Sequence, residues 1–401
     1  MHPSHKHTTD TGPTTTTTPV PTPTPMPTAG PVPTPAAVPA AGHAGAAGHA
    51  GAACALPAPA GASATFAELL KQVKAEGLLE LRPAYYLGRL TLNTTLLAAG
   101  LAAFFLVGDS WWQIPVAAWM GLCGAQSSFL WHDAGHKAMF RGTGASAAVG
   151  YVHANLVNGV SFGWWTHHHS RHHSHPNHLA LDPDIGRRTA IFDLSQYAAR
   201  RRGQRLIVRY QSVLFFVLLV LESAKMQRTA VKAIAGGLPR RPVLESALIL
   251  ARLALYLGAV FILLSPALAV VFLVVQQAVL GVYFGLLFAP NHKGMTIRGG
   301  TPETLGWLER QVLTARNIRP NPLTDFLYGG LNYQIEHHLF PSMPRKNLPR
   351  ARQLTRTYCT QHNIPYHETG FWTSYREVAT YLHTISAPLR HGKVNPPLPG
   401  R

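Results

Sequence analysis

Residues 90 to 107 run for 18 positions without a charged side chain. A second uncharged run spans 114 to 131, and two more apolar stretches span 244 to 264 and 267 to 289. A bilayer core takes about 20 apolar residues in a helix. No other structure built from one continuous segment satisfies its own backbone there. The runs predict four transmembrane helices in two pairs, joined by short turns at 108–113 and 265–266. Trp111 and Trp112 sit in the first turn, where interface anchors belong. Arg252 interrupts the third run and is expected to snorkel or to face a protein partner.

Composition agrees. Charged residues make up only 13 % of the 401-residue chain, against the ~25 % usual for a soluble domain. The formal charge is +18. That balance suits an anionic membrane surface or nucleic acid. The long apolar runs and the absence of any nucleic-acid motif favour the membrane and no nucleic acid. The short turns carry no Lys or Arg, whereas 137–241 is strongly basic. Positive-inside logic then places both termini and the long segments in the cytoplasm.

A fifth apolar stretch, 206–222, contains Arg209. Counting it as a span would separate the histidine clusters described below onto opposite faces. It is therefore expected to lie in the interface or to be buried without crossing. Residues 1–62, rich in Pro, Thr, Ala and Gly, are expected to be a disordered tail, and 386–401 a flexible C-terminal tail. Between them, 63–385 reads as one domain, opened by an amphipathic surface helix over 65–80. No apolar signal segment opens the chain. Cys54, Cys123 and Cys359 form no CxxC pair, so neither a disulfide framework nor a thiolate site is expected.

Histidine is the outlier, with 22 copies. His132 and His136, at the end of the second span, are four apart and share a helix face. His169, His172 and His173 repeat that stripe, amid His167, His168, His175 and His178. His337 and His338 are adjacent, so on a helix they point about 100° apart and can serve different metals. His292 ends the fourth span on the same face. Asn291, Gln334, Asp133 and Glu336 are candidates for holding a metal-bound water or orienting a ligand. Neutral imidazoles with few carboxylates suit iron, copper or zinc. Eight candidate ligands exceed one mononuclear site, so two metals are expected. The apolar surroundings imply a lipid-like substrate. Attack on an unactivated C–H bond needs a redox-active metal, which favours iron over zinc.

These residues resemble a known family. His132-Asp133-Ala134-Gly135-His136, His169-Ser170-Arg171-His172-His173 and Gln334-Ile335-Glu336-His337-His338 are similar to the three histidine boxes of membrane fatty acid desaturases. The run from Gln334 to Arg345 resembles the front-end, Δ6-type branch, and Ala289 to Met295 resembles bacterial members. The resemblance implies an all-α integral membrane fold, with four transmembrane helices capped by a cytoplasmic helical domain. It implies that His132, His136, His169, His172, His173, His292, His337 and His338 hold two non-haem irons. It also implies O2 as co-substrate, a long acyl chain as substrate and residence in a bacterial inner membrane. No fused cytochrome b5 motif occurs. A separate electron donor is therefore implied: a ferredoxin, a cytochrome b5-like protein or a flavin reductase. Double-bond position and acyl carrier stay open. A di-iron lipid hydroxylase or ketolase shares the ligand pattern. A histidine-rich metal transporter would place its polar residues mid-span instead.

Deleting residues 2–60 is expected to leave activity largely intact, measured as product per unit of membrane protein. Complete loss at normal expression would contradict the reading of this tract as a tail.

Overall fold

The computed structural model describes residues 65–186, 190–299 and 305–391. The tract 1–62 expected to be disordered lies outside them, as do Arg187 and Arg188. The described chain is mostly helical. Its order is α1 (Phe66–Ala75), α2 (Pro83–Val107), α3 (Gln113–Gly135), α4 (Thr143–Gly150), a π-helix (Tyr151–Val157) and α5 (Phe162–Ser174). Then come α6 (Arg202–Arg209), α7 (Gln211–Leu218), α8 (Glu222–Ala235), α9 (Pro242–Leu263) and α10 (Pro266–His292). The last part holds α11 (Trp307–Leu313), α12 (Pro322–Tyr328), α13 (Gln334–Leu339), α14 (Leu348–Gln361) and α15 (Phe371–Arg390). Two short strands, β1 (Asn317–Ile318) and β2 (Glu368–Thr369), pair in parallel.

Among the described residues three helices, α2, α9 and α10, are long and apolar enough to cross a membrane. Each begins with a proline in its first turn, where a missing N–H costs nothing. The expected start of the first span, residue 90, falls seven residues inside α2, because its opening turns carry Tyr85, Tyr86 and Arg89. The expected second span corresponds to α3, which is 23 residues long. It is less apolar than the others because protein surrounds it: α3 packs along both α2 and α10 and buries Gln113, Ser127 and Ser128. Gly121 permits this contact, since a Cβ there would sit 2.9 Å from the Gln276 carbonyl oxygen of α10. At the other end of these helices Phe104 and Phe272 pack at a ring-centroid distance of 5.3 Å.

The stretch 206–222 does not form one straight helix. Arg202–Arg209 and Gln211–Ala235 meet at 103°. If that bent pair is counted as one span, it makes a fourth.

One feature is invisible in the sequence pattern. α4 and the π-helix wedge between α3 and α9. Asn158, at the tip of this wedge, donates to the Gly124 carbonyl (3.1 Å), halfway along α3. Arg252, halfway along α9, donates from Nε to the Val157 carbonyl (3.1 Å). Gln227 donates to the Asn158 carbonyl (2.9 Å). Irregular backbone at that depth must find partners within the protein, and these side chains supply them. Arg252 therefore faces a protein partner.

The chain returns from the wedge into α5 at a buried carboxylate. Glu245 is fully buried near the start of α9. It accepts from Ser161 Oγ (2.5 Å), Asn155 Nδ2 (3.1 Å) and the Gly163 N–H (3.1 Å). Ser161 is the N-cap of α5, and its Oγ accepts from the Trp164 N–H. Glu245 thus satisfies and charge-matches the N-terminus of the helix that carries the second histidine cluster.

Outside the long helices, α1 turns Leu69 and Val73 onto Leu308, Val312 and Tyr358. Its apolar face is thus covered by protein, not by a membrane surface. α15 continues to Arg390, past the 386 boundary expected for a flexible tail.

Glu245→Ala should destabilise the protein by roughly 1–3 kcal/mol, because three buried donors lose their acceptor. Thermal unfolding in detergent measures this. An unchanged midpoint would show that α5 is anchored otherwise.

Candidate metal centre

Four separate elements deliver the eight predicted histidines to one place. His132 lies in the last turn of α3, and His136 caps that helix. His169, His172 and His173 lie on α5, His292 ends α10, and His337 and His338 lie on α13. They form two groups. In the first, one ring nitrogen from each of His132, His136, His169 and His337 falls within 4.8 Å of the others. In the second, His172, His292 and His338 do the same. His173 stands between, with ring centroids 4.7 Å from His136 and 4.3 Å from His338. The rings of His337 and His338 lie at 89° to each other, one in each group.

Hydrogen bonds decide which nitrogen each ring presents. His292 Nδ1 donates to the Thr314 carbonyl (2.9 Å), which can only accept. His172 Nδ1 lies 3.1 Å from both Asp182 oxygens, and His132 Nδ1 lies 3.1 Å from Asp133 Oδ1. His338 Nδ1 lies 3.0 Å from Gln311 Oε1. Gln311 is itself oriented by donating Nε2 to the His173 carbonyl (2.9 Å). All four rings therefore hold a proton on Nδ1 and leave the Nε2 lone pair facing inward. Five buried ring nitrogens have no partner among the described residues: His132, His136, His337 and His338 Nε2, and His173 Nδ1. Leaving a buried polar atom unmatched costs about 1–3 kcal/mol. A metal ion at each group would relieve that cost, so the donor set fits two metals.

Charge tells the same story. Burial, together with neighbouring histidines, holds His169, His173, His337 and His338 well below the ordinary imidazole range, so they stay neutral. Burial also pushes His172 down, but Asp182 and Asp184 more than offset it, leaving His172 above its usual value.

The four supporting candidates differ in their partners. Asp133 also accepts from Arg345 Nε (2.6 Å) and the Tyr86 hydroxyl (2.9 Å). Gln334 Nε2 lies 3.0 Å from His292 Nε2, and its Oε1 accepts from Asn291 Nδ2 (2.9 Å). Asn291 Oδ1 has no partner among the described residues. Glu336 instead binds Asn317 (2.7 Å) and Tyr366 (2.9 Å). Burial raises its carboxyl to about 7. Of the remaining histidines, His167 is exposed and His168 Nε2 bonds Asp184 (2.9 Å).

Asp182, Gln311, Thr314 and Asn177 are not legible as site residues in the sequence. Asn177 donates Nδ2 to the His292 carbonyl (3.0 Å), and its N–H donates to Asp182 (2.7 Å). The Asp182-Pro183-Asp184 pair, close behind the second cluster, is the signal that was available.

A family model described as "Fatty acid desaturase" matches residues 109–370. The acyl-lipid (9-3)-desaturase of Physcomitrium patens is 29 % identical over 335 residues, covering 80 % of this chain and 62 % of that one. The Delta(6)-fatty-acid desaturase fat-3 of Caenorhabditis elegans is 27 % identical, covering 78 % of this chain and 72 % of that one. The Delta(5) fatty acid desaturase fat-4 of the same organism is 28 % identical, covering 77 % and 71 %. The chain thus spans less than two thirds of the Physcomitrium patens protein.

Asp182→Asn should weaken metal retention by about 10–100-fold, the usual effect of losing a carboxylate behind a histidine ligand. Metal content after dialysis against a chelator is the measurement. Retention equal to wild type would remove Asp182 from the centre.

Proposed function

This chain belongs to the fatty acid desaturase family, and we propose that it introduces a cis double bond into a long acyl chain at a histidine-held di-iron centre. The observation that carries the metal reading is the set of five buried, unmatched imidazole nitrogens. His132, His136, His169 and His337 would hold one iron. His172, His292 and His338 would hold the other, with His173 adjoining both. When bound, the iron pair supplies the O2-dependent oxidising power that an unactivated C–H bond requires. Overall, –CH2–CH2– with O2, two electrons and two protons becomes –CH=CH– and two waters.

The chain's own residues prepare the site. Asp133, Asp182, Gln311 and the Thr314 carbonyl hold the Nδ1 protons of His132, His172, His338 and His292, so each of these four rings offers its Nε2 lone pair. Gln334 and Asn291 lie beside His292 in the three-histidine group, where a water-mediated contact would complete the set. Trp165 stacks on His169 at 4.5 Å, and Trp131 is buried beside it, which keeps bulk water from one side of the centre.

The electrons come from a separate protein, a ferredoxin, a cytochrome b5-like protein or a flavin reductase. We place α2, α3, α9 and α10 across a bacterial inner membrane. α3 and α10 end at the histidines, and α2 and α9 run the opposite way. An even number of crossings then puts the three boxes and His292 on one face, the cytoplasmic one by its basic segments. Residues 206–222 stay on that side. Two of the three relatives above are named as Delta(6) and Delta(5) desaturases, which favours front-end chemistry.

Expression in a host lacking the activity, with double-bond mapping of its fatty acids, tests this reading. A new cis olefin is expected, whereas a hydroxylated or keto product would favour a related oxygenase. His172→Ala or His337→Ala should abolish the product while the protein remains in the membrane. Retained activity in either variant would remove that ligand assignment.

A further inference from the structure

A cavity of about 290 Å3 lies against the opening turns of α2. Tyr85, Arg89, Asp325, Gly330, Arg345 and Lys346 are among the residues that line it. Tyr85 and Arg89 are four apart and share one face of α2. The uncharged run begins at Leu90, so Arg89 marks the depth where the apolar layer ends and lipid phosphates lie. Two glycines also line the cavity. Gly329 and Gly330 take φ of 55° and 88° after α12. A Cβ on Gly330 would stand 3.0 Å from Arg345 Cβ, and one on Gly329 would stand 2.4 Å from the Phe129 ring. The Gly330 N–H donates to no acceptor among the described residues.

The charges of this cavity do not cancel. Arg345 is matched by Asp133 at 2.6 Å. Asp325 gives both oxygens to Asn332 (2.7 Å) and Tyr333 (3.2 Å). Arg89 and Lys346 form no ion pair among the described residues. The Arg89 guanidinium lies 5.8 Å over the Phe326 ring, which leaves its nitrogens available. Two unmatched cations and one hydrogen-bonded carboxylate line the cavity, an arrangement that selects an anion. The cavity also adjoins the chemistry. Arg345, in its wall, bonds Asp133, and Asp133 bonds His132.

We propose that this cavity binds the phosphate of a membrane glycerophospholipid, so that the acyl chain reaches the histidine centre as a phospholipid ester. The proposal rests on the desaturase reading and deepens it by naming the acyl carrier. Depth favours this ligand. A phosphate at the level of Arg89 arrives from the membrane plane, not from the aqueous side.

Two measurements test it. In the first, detergent-solubilised full-length protein is exposed to dioleoylphosphatidylglycerol or to phosphate-free diolein, and native mass spectrometry counts the retained lipid. Wild type should retain the phospholipid over diolein, and the Arg89→Gln/Lys346→Gln double variant should lose that preference by about tenfold. Arg89→Lys alone should keep most of it. Equal retention by wild type and the double variant, at equal metal content, overturns the proposal.

In the second, an isotope pulse in the expressing host follows where new double bonds first appear. First appearance in phospholipid is expected, and first appearance in acyl-CoA overturns it. If no double bond forms at all, the desaturase reading fails, and lipid retention still decides whether the cavity binds phosphate.

Discussion

Eight imidazoles crowd together, four of them with their Nδ1 protons held by named acceptors, and the rest of the fold serves that arrangement. Crowding neutral rings is unfavourable on its own: five ring nitrogens are buried without a partner. Each costs about 1–3 kcal/mol in a protein that gains only about 5–15 kcal/mol from folding altogether. The surroundings must therefore hold the rings in place, and the metals must return the stabilisation. The Nδ1 partners come from three segments: Asp133 on α3, Asp182 after α5, and Gln311 and Thr314 on α11 and its C-cap. Losing one frees a ring to rotate and to present the wrong nitrogen.

The scaffold explains why those segments meet. α3 and α10 pack closely enough for Gly121 to touch backbone, which brings His132 and His292 to one end of a rigid pair. α5 cannot cross the bilayer with them, so it needs its own anchor, and Glu245 of α9 provides one. The wedge formed by α4 and the π-helix fills the space between α3 and α9, with its tip satisfied by Arg252 and Gln227. An arginine that reads in sequence as an interruption of a span is, in the fold, the partner of an otherwise unmatched carbonyl.

Much of this was readable. The helical stripe at 169, 172 and 173 and the paired faces of 337 and 338 follow from 3.6-residue geometry. The long helices follow from charge-free runs. What escaped has physical causes. The wedge is short and broken by Asn155 and Asn158, which pattern reading treats as loop. α1 is amphipathic, but amphipathicity does not say whether protein or lipid covers the apolar face. Gln311 and Thr314 orient His338 and His292 from 27 and 22 residues away, on a separate helix, a separation that no local spacing encodes. The family is legible because its boxes are local, whereas the groups that orient the rings are not.

The central claim is that this histidine cage is built for two irons. Metal analysis of the purified, full-length protein, read together with its Mössbauer spectrum, addresses it directly. Close to two irons per chain in a histidine-rich, non-haem environment is the expected result. One metal per chain, or a full complement of zinc with no iron, would contradict it.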